Sequence, residues 1–200
     1  VNSRHSNWRW LAVLLLSIGI GNANAQSDAL ILQQQAIKRI DAFVLHFRQT
    51  GDFKRMNEFL APAQQELVAS AQAFEARKDV ANLVVSLYRL AEVQRLQGHW
   101  QNAVKLYQQT LALARKVNDE LHQARALGRM ALAKRNARDS QGALEDATRA
   151  VTHAQRAGDA AVLFDALNIR AQVQVDHGDI AAANETLTRA FDAARASNKP

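Results

Sequence analysis

Laid out in steps of 40, the 200-residue sequence repeats itself three times. Asp79, Asp119 and Asp159 fall in register, as do Leu87, Leu127 and Leu167, then Ala91, Ala131 and Ala171. Gly98, Arg138 and Gly178 follow, then Ala103, Ala143 and Ala183. Leu111, Val151 and Phe191 coincide next, and Ala114, Ala154 and Ala194 last. A period of this size marks units too small to bury their own apolar faces, so neighbouring units must stack. Good helix formers dominate these units, with only eight Gly and two Pro in the chain. No alternating run bounded by turns reads as a strand. The fold class is therefore all-α. With no cysteine, disulfides, thiol catalysis and Cys-based zinc sites are excluded.

Each copy reads as two helices. The first opens at Asp79, Asp119 or Asp159, whose carboxylate accepts a backbone N–H at a helix start. Gly158 suits the position that ends the preceding helix. The second helix opens at a mid-repeat turn that Asp139 and Asp179 cap and where His99 takes their place. Gly98 and Gly178 relax that turn, and Arg138 departs from it. Two antiparallel helices in one unit must approach closely and also touch the next unit. Ala91 facing Ala103, with their equivalents, marks the close approach, and Leu87, Tyr107, Leu111 and Phe191 fill the space beside it.

This alternation resembles the tetratricopeptide repeat. That family has a small residue late in the first helix, Gly in the turn, and Ala early in the second helix. A large residue follows four positions later, and a small one three after that. The first copy shows Leu87, Leu90, Ala91, Gly98, Ala103, Tyr107 and Thr110. The second shows Leu127, Met130, Ala131, Arg138, Ala143, Ala147 and Ala150. The third shows Leu167, Arg170, Ala171, Gly178, Ala183, Leu187 and Ala190. The period looks like the 40-residue variant of kinesin light chains and related bacterial receptors. Departures are Gln94, Lys134 and Gln174 where an aromatic is usual, together with Arg138 and Arg170. The resemblance implies a right-handed superhelical α-solenoid of antiparallel helix pairs, with repeats at residues 79–118, 119–158 and 159–198.

Residues 26–78 read as a degenerate fourth unit. Ser27 or Asp28 is expected to cap its first helix, and Gly51-Asp52-Phe53 copies the mid-repeat turn seven residues early. The second helix is then about two turns longer, or residues 53–59 form a short helix of their own. Pro62 predicts a break or kink there. Upstream, Arg4 and Arg9 precede the apolar run Leu11 to Ile20, and Ala23-Asn24-Ala25 is a small-x-small site. That layout is a secretory signal peptide over residues 1–25, and the run is too short for a comfortable membrane span. It holds two of the 25 basic residues and none of the 19 acidic ones, which leaves a net charge of +4 after cleavage. A mild excess on an exported chain argues against nucleic acid as partner.

No residue pattern offers catalysis. His46, His99, His122, His153 and His177 pair in no metal-binding spacing, and no phosphate loop or nucleophile elbow occurs. No enzyme site, metal or cofactor is expected. By resemblance, a partner lies on the concave face lined by the first helices. Carried over by position, the candidates are Tyr88, Glu92 and Arg95, then Arg125, Leu132, Arg135 and Asn136, then Asn168 and Gln172. Arg95, Arg125 and Arg135 are expected to converge as a basic centre, and Asn168 and Gln172 to bond a peptide backbone. The lysine-and-asparagine clamp of some family members is absent. The expected function is an exported, periplasmic scaffold for a protein or peptide partner in a bacterium. The alternative is a regulatory repeat module of an enzyme, a protease or signalling protein.

Overall fold

The computed structural model describes residues 25–197, so the expected leader lies outside the described residues except for Ala25. All regular structure among them is helical. The helices are α1 (Ala25–Thr50), α2 (Met56–Ala76), α3 (Val80–Leu96), α4 (Trp100–Lys116), α5 (Glu120–Asn136), α6 (Ser140–Ala157), α7 (Ala160–Asp176) and α8 (Ile180–Ser197). Each packs against the next. The first helices also lie against one another in succession, α1 on α3, α3 on α5 and α5 on α7. The molecule is a helical-repeat solenoid.

The reason it stacks so regularly lies in the turns. From α2 onward only two or three residues separate consecutive helices. So short a reversal needs one residue in the left-handed region. These residues are Lys78, Gly98, Asn118, Arg138, Gly158 and Gly178, spaced 20 apart, with φ between 53° and 85°. Arg138 thus adopts the backbone of its glycine counterparts at φ 63°. The next residue then closes the helix end, as when the Asp139 N–H donates to the Lys134 carbonyl at 2.9 Å. In the same turns Asp79, Asp119, Asp139, Asp159 and Asp179 each accept a backbone N–H two or three residues on. His99 holds the equivalent place but makes no side-chain cap, so it replaces the aspartates in position only.

The N-terminal unit departs from expectation in three places. Helix α1 already runs from Ala25, so Ser27 and Asp28 lie inside its first turn and not at the position before it. Helix α2 passes through Pro62 without a break. Fully buried Leu60 and Ala63 anchor the helix on both sides of the proline. The Glu58 carbonyl, which loses its donor, belongs to an exposed residue and can turn to water. The seven extra residues go into a five-residue connection and about one added turn, α2 having 21 residues where α3 has 17. Phe53 anchors that connection against Phe47, with ring centroids 4.1 Å apart. The unit is tied to the rest by a buried polar chain. Gln33 of α1 donates to the Ser86 hydroxyl of α3 at 2.8 Å, and Ser86 meets Ser70 of α2 at 3.0 Å.

Elsewhere the core follows the alternation of small and large. Ala91, Ala103, Ala131 and Ala143 are fully buried, Ala183 nearly so, with Leu87, Leu127, Leu167 and Tyr107 beside them. Where an aromatic was missing, polar side chains bridge the two helices of a pair. Asn102 donates to Gln94, Lys134 pairs with Asp146 at 2.6 Å, and Thr186 donates to Gln174 at 2.8 Å. Arg170, the other departure, donates to that same Thr186 hydroxyl. Phe191 corrects the expected filling. Leu111 and Val151 are 6% and 3% exposed because the next first helix covers them, whereas Phe191 is 65% exposed. No further helix lies on α8 among the described residues.

Two stability predictions follow from the turns and the crossings. Ala143→Arg places a long charged side chain where no space exists and should cost at least about 3 kcal/mol. Arg149→Ala should cost under about 1 kcal/mol, because Arg149 is half exposed and Asp146 keeps Lys134. Equal melting temperatures for the two variants would break the repeat register. At Arg138, which is exposed, glycine should relieve left-handed strain and add about 0.5–1 kcal/mol, a rise of about 1–4 °C in Tm. Arg138→Ala should bring no such gain, and a glycine variant that melts no higher than wild type would show that the turn carries no strain.

Candidate functional site

Contacts between successive first helices draw that side of the stack together, while the second helices lie chiefly against the first helices flanking them. The stack therefore curves with α3, α5 and α7 on its inner face. The period carries the same positions of each first helix onto this face.

The residues named from sequence divide into three groups there. Tyr88 and Glu92 are buried, 7% and 8% exposed; Glu92 lies beneath the surface, and Tyr88 meets it only at a pocket wall. Asn136 and Gln172 are exposed, and Asn168 and Leu132 are half-buried. The three arginines do not converge, which corrects the expected basic centre. Arg95 folds back onto Glu92, with Nε–Oε1 at 3.2 Å and Nη2–Oε2 at 3.3 Å. Arg135 reaches across to α7, where its guanidinium pairs with Asp176, Nη2–Oδ1 being 3.1 Å. It also donates to Gln172 at 3.4 Å. Arg125 stands ten residues, about 15 Å of helix, from Arg135 on the same α5.

Beneath the surface Glu92 organises three helices. Its carboxylate accepts from the Tyr107 hydroxyl of α4 and from Arg95 of α3, and Arg129 of α5 lies 3.6 Å away. Burial alone would raise the Glu92 carboxyl, but Arg129, Arg95 and the Tyr107 hydroxyl hold it below the ordinary glutamate range. Burial, helped by Glu92, pushes the Tyr107 phenol well above its usual value. Burial acts against the Arg129 charge, yet Glu92 outweighs it and raises that guanidinium further. The centre is thus an ionised carboxylate between two permanent cations.

Above this network, Tyr88 and Arg89 of α3, Arg125, Gly128 and Arg129 of α5, and Asp165 and Ile169 of α7 enclose a pocket of about 200 Å3. A methyl group on Gly128 would stand 3.1 Å from Ile169 Cδ1, so the glycine sets how closely α7 approaches α5. The Arg89 guanidinium lies 5.8 Å from the Tyr88 ring centre. Arg89 and Arg129 were missed from sequence. The signal was present, since both sit at the same place in the 40-residue register and Arg129 follows Arg125 by one turn. Among the described residues no three His, Cys, Asp or Glu side chains gather to hold a metal ion. No helix among them is long and apolar enough to cross a membrane.

Removing the Glu92 charge should expose the worth of the network. Glu92→Gln leaves Arg95 and Arg129 without their carboxylate and should cost about 2–4 kcal/mol at pH 7. A carboxyl with a depressed folded pKa stabilises fully above the unfolded value, about 4.3, and loses that contribution as pH falls through the folded value. The gap between wild type and variant should therefore shrink as pH falls from 5 towards 3. Thermal melts across that range decide it, and a gap independent of pH would refute the role.

The sequence pattern of the tetratricopeptide repeat matches residues 86–121, from the middle of α3 through α4 into α5. No curated protein matches the chain. Among solved structures it is similar to the crystal structure of BtubC (BKLC) from P. vanneervenii. The two share 11% identity over 90% of this chain and 94% of that one, with a TM-score of 0.38. The chain thus carries one matched tetratricopeptide repeat, a unit that in general terms serves protein interaction, with helix pairs stacked on both sides of it.

Proposed function

We propose that this chain is an exported, periplasmic scaffold of the 40-residue variant of its family, and that it holds a segment of a partner protein along its inner face. The observation that supports this most is the composition of that face. Paired Arg135–Asp176, Gln172, Asn136 and Asn168 form a polar strip alongside a pocket. Amide side chains offer both donor and acceptor, which is what an extended backbone needs. Buried tyrosines and Glu92 stiffen the helices beneath, so little ordering is left to be done on binding. Export rests on the signal layout before Gln26. A second reading, a regulatory module of an enzyme, draws its support from Phe191, whose exposed ring suits a helix supplied by another domain.

Site-specific photo-cross-linking in cells tests the first reading. A cross-linker at Asn136 or Gln172 should capture a partner in the cell envelope fraction, on a chain whose intact mass begins at Gln26. One at Glu145, exposed on the second helix α6, should not. Capture from Glu145 alone would move binding to the outer face. A full-length chain in the cytosol would remove export.

A further inference from the structure

The turn between α3 and α4 breaks the pattern of the mid-repeat turns that follow it. Those read Asp139-Ser140 and Asp179-Ile180, whereas this one reads His99-Trp100. The two aspartates each accept a backbone N–H three residues on, and His99 makes no side-chain cap. Forgoing a cap weakens a helix start, and local rules are broken mostly where function requires it. Beside this turn lies a cavity of about 440 Å3, lined by Gly98, His99, Trp100, Gln101, Asn102 and Ala137. Its volume falls in the range of small-molecule sites, about 300–1,000 Å3. It sits between the start of α4 and the end of α5 and shares no residue with the pocket on the inner face.

The lining decides what such a cavity can take. Apart from the His99 imidazole, no side chain in it can carry charge, so an ionic ligand finds no counter-ion. The polar groups are unspent. The His99 ring, the Trp100 indole N–H and the Gln101 amide make no side-chain hydrogen bond among the described residues. Asn102 donates to Gln94 at 3.4 Å, and Gln94 donates to Gln64 and Gln97 at 3.2 and 3.1 Å. That chain of amides uses the Asn102 amino group and leaves its carbonyl oxygen as an acceptor. Trp100 is half-buried and packs against the core, so its ring is held in place before anything binds. We propose that this cavity binds a neutral sugar ring of an oligosaccharide. The C–H face of a pyranose is apolar and faintly positive, which suits the negative face of an indole. Its hydroxyls donate and accept, as an imidazole and two amides do. An extended peptide is served less well. Its polar groups repeat along a line, whereas the unspent groups here stand on four consecutive residues of one turn.

The three tryptophans are Trp8, Trp10 and Trp100. The full chain carrying Trp8→Phe and Trp10→Phe therefore reports on this cavity alone through its indole fluorescence. Maltotetraose, cellotetraose and chitotetraose are the probes, covering both linkage hands and the N-acetyl group. At least one should change the Trp100 emission saturably, with Kd of about 0.1–1 mM. Calorimetry with that sugar then reads the variants. Gln101→Ala, at an exposed side chain, should weaken binding roughly fivefold or more with melting unchanged. His99→Asp separates a binding site from a mere turn. It should supply the missing cap and raise the melting temperature, yet weaken sugar binding roughly fivefold or more. Sugar affinity unchanged in both variants would overturn the proposal. No saturable response to any of the three sugars at about 10 mM would overturn it too.

Discussion

Two helices can bring their backbones close only where the side chains at the crossing are a methyl group or less. In this chain the alanines at 91, 103, 131, 143 and 183 meet that condition, and the rest of the packing depends on it. Close crossings let the larger neighbours Leu87, Leu127, Leu167 and Tyr107 interlock without voids. They also bring the first helices of neighbouring pairs within reach of one another, which is how Arg129 of α5 reaches Glu92 of α3. Without the alanines there would be neither a compact stack nor an inner face with charges in contact.

What the sequence made legible was whatever repeats. The aspartate caps, the alanine crossings and the helix pairing recur every 40 residues, and recurrence separates them from chance. Features that occur once were harder to read. The unbroken α2 depends on Leu60 and Ala63 holding a helix that Pro62 weakens. The failure of His99 to cap is a matter of side-chain direction that residue type does not reveal. Phe191 was expected inside because its register partners are inside, yet burial at that position is conferred by the following helix. The inner face was half legible. Position in the repeat placed Arg95, Arg125 and Arg135 on first helices, but which arginine is neutralised depends on carboxylates from other turns and other helices. Spacing along one helix could have shown that Arg125 and Arg135 stand too far apart to converge.

The charges of the inner face are sorted by the fold into satisfied and unsatisfied. Glu92 occupies Arg95 and Arg129 from below, and Asp176 occupies Arg135 at one end. This internal neutralisation removes most of the positive field that a count of arginines would suggest. What remains is local, at Arg89 and Arg125, beside a single opposing Asp165. A local excess of this kind selects among partners by where their charges fall, and contributes more to specificity than to bulk attraction.

The left-handed residues spaced 20 apart from Lys78 to Gly178 also govern how such a chain can change over time. Helices α3, α5, α6 and α7 are rods clamped between an aspartate-capped start and a fixed reversal. Inserting one residue between Asp119 and Arg125 would turn every later side chain of α5 by about 100° about the helix axis and advance it about 1.5 Å. Arg125 and Arg129 would swing away from Arg89, and the buried alanines behind them would leave their crossings. Single insertions and deletions within helices are thereby closed as routes of variation. Substitutions remain open, and so does the gain or loss of whole 40-residue helix pairs, which lengthens or shortens the inner face without rotating any part of it.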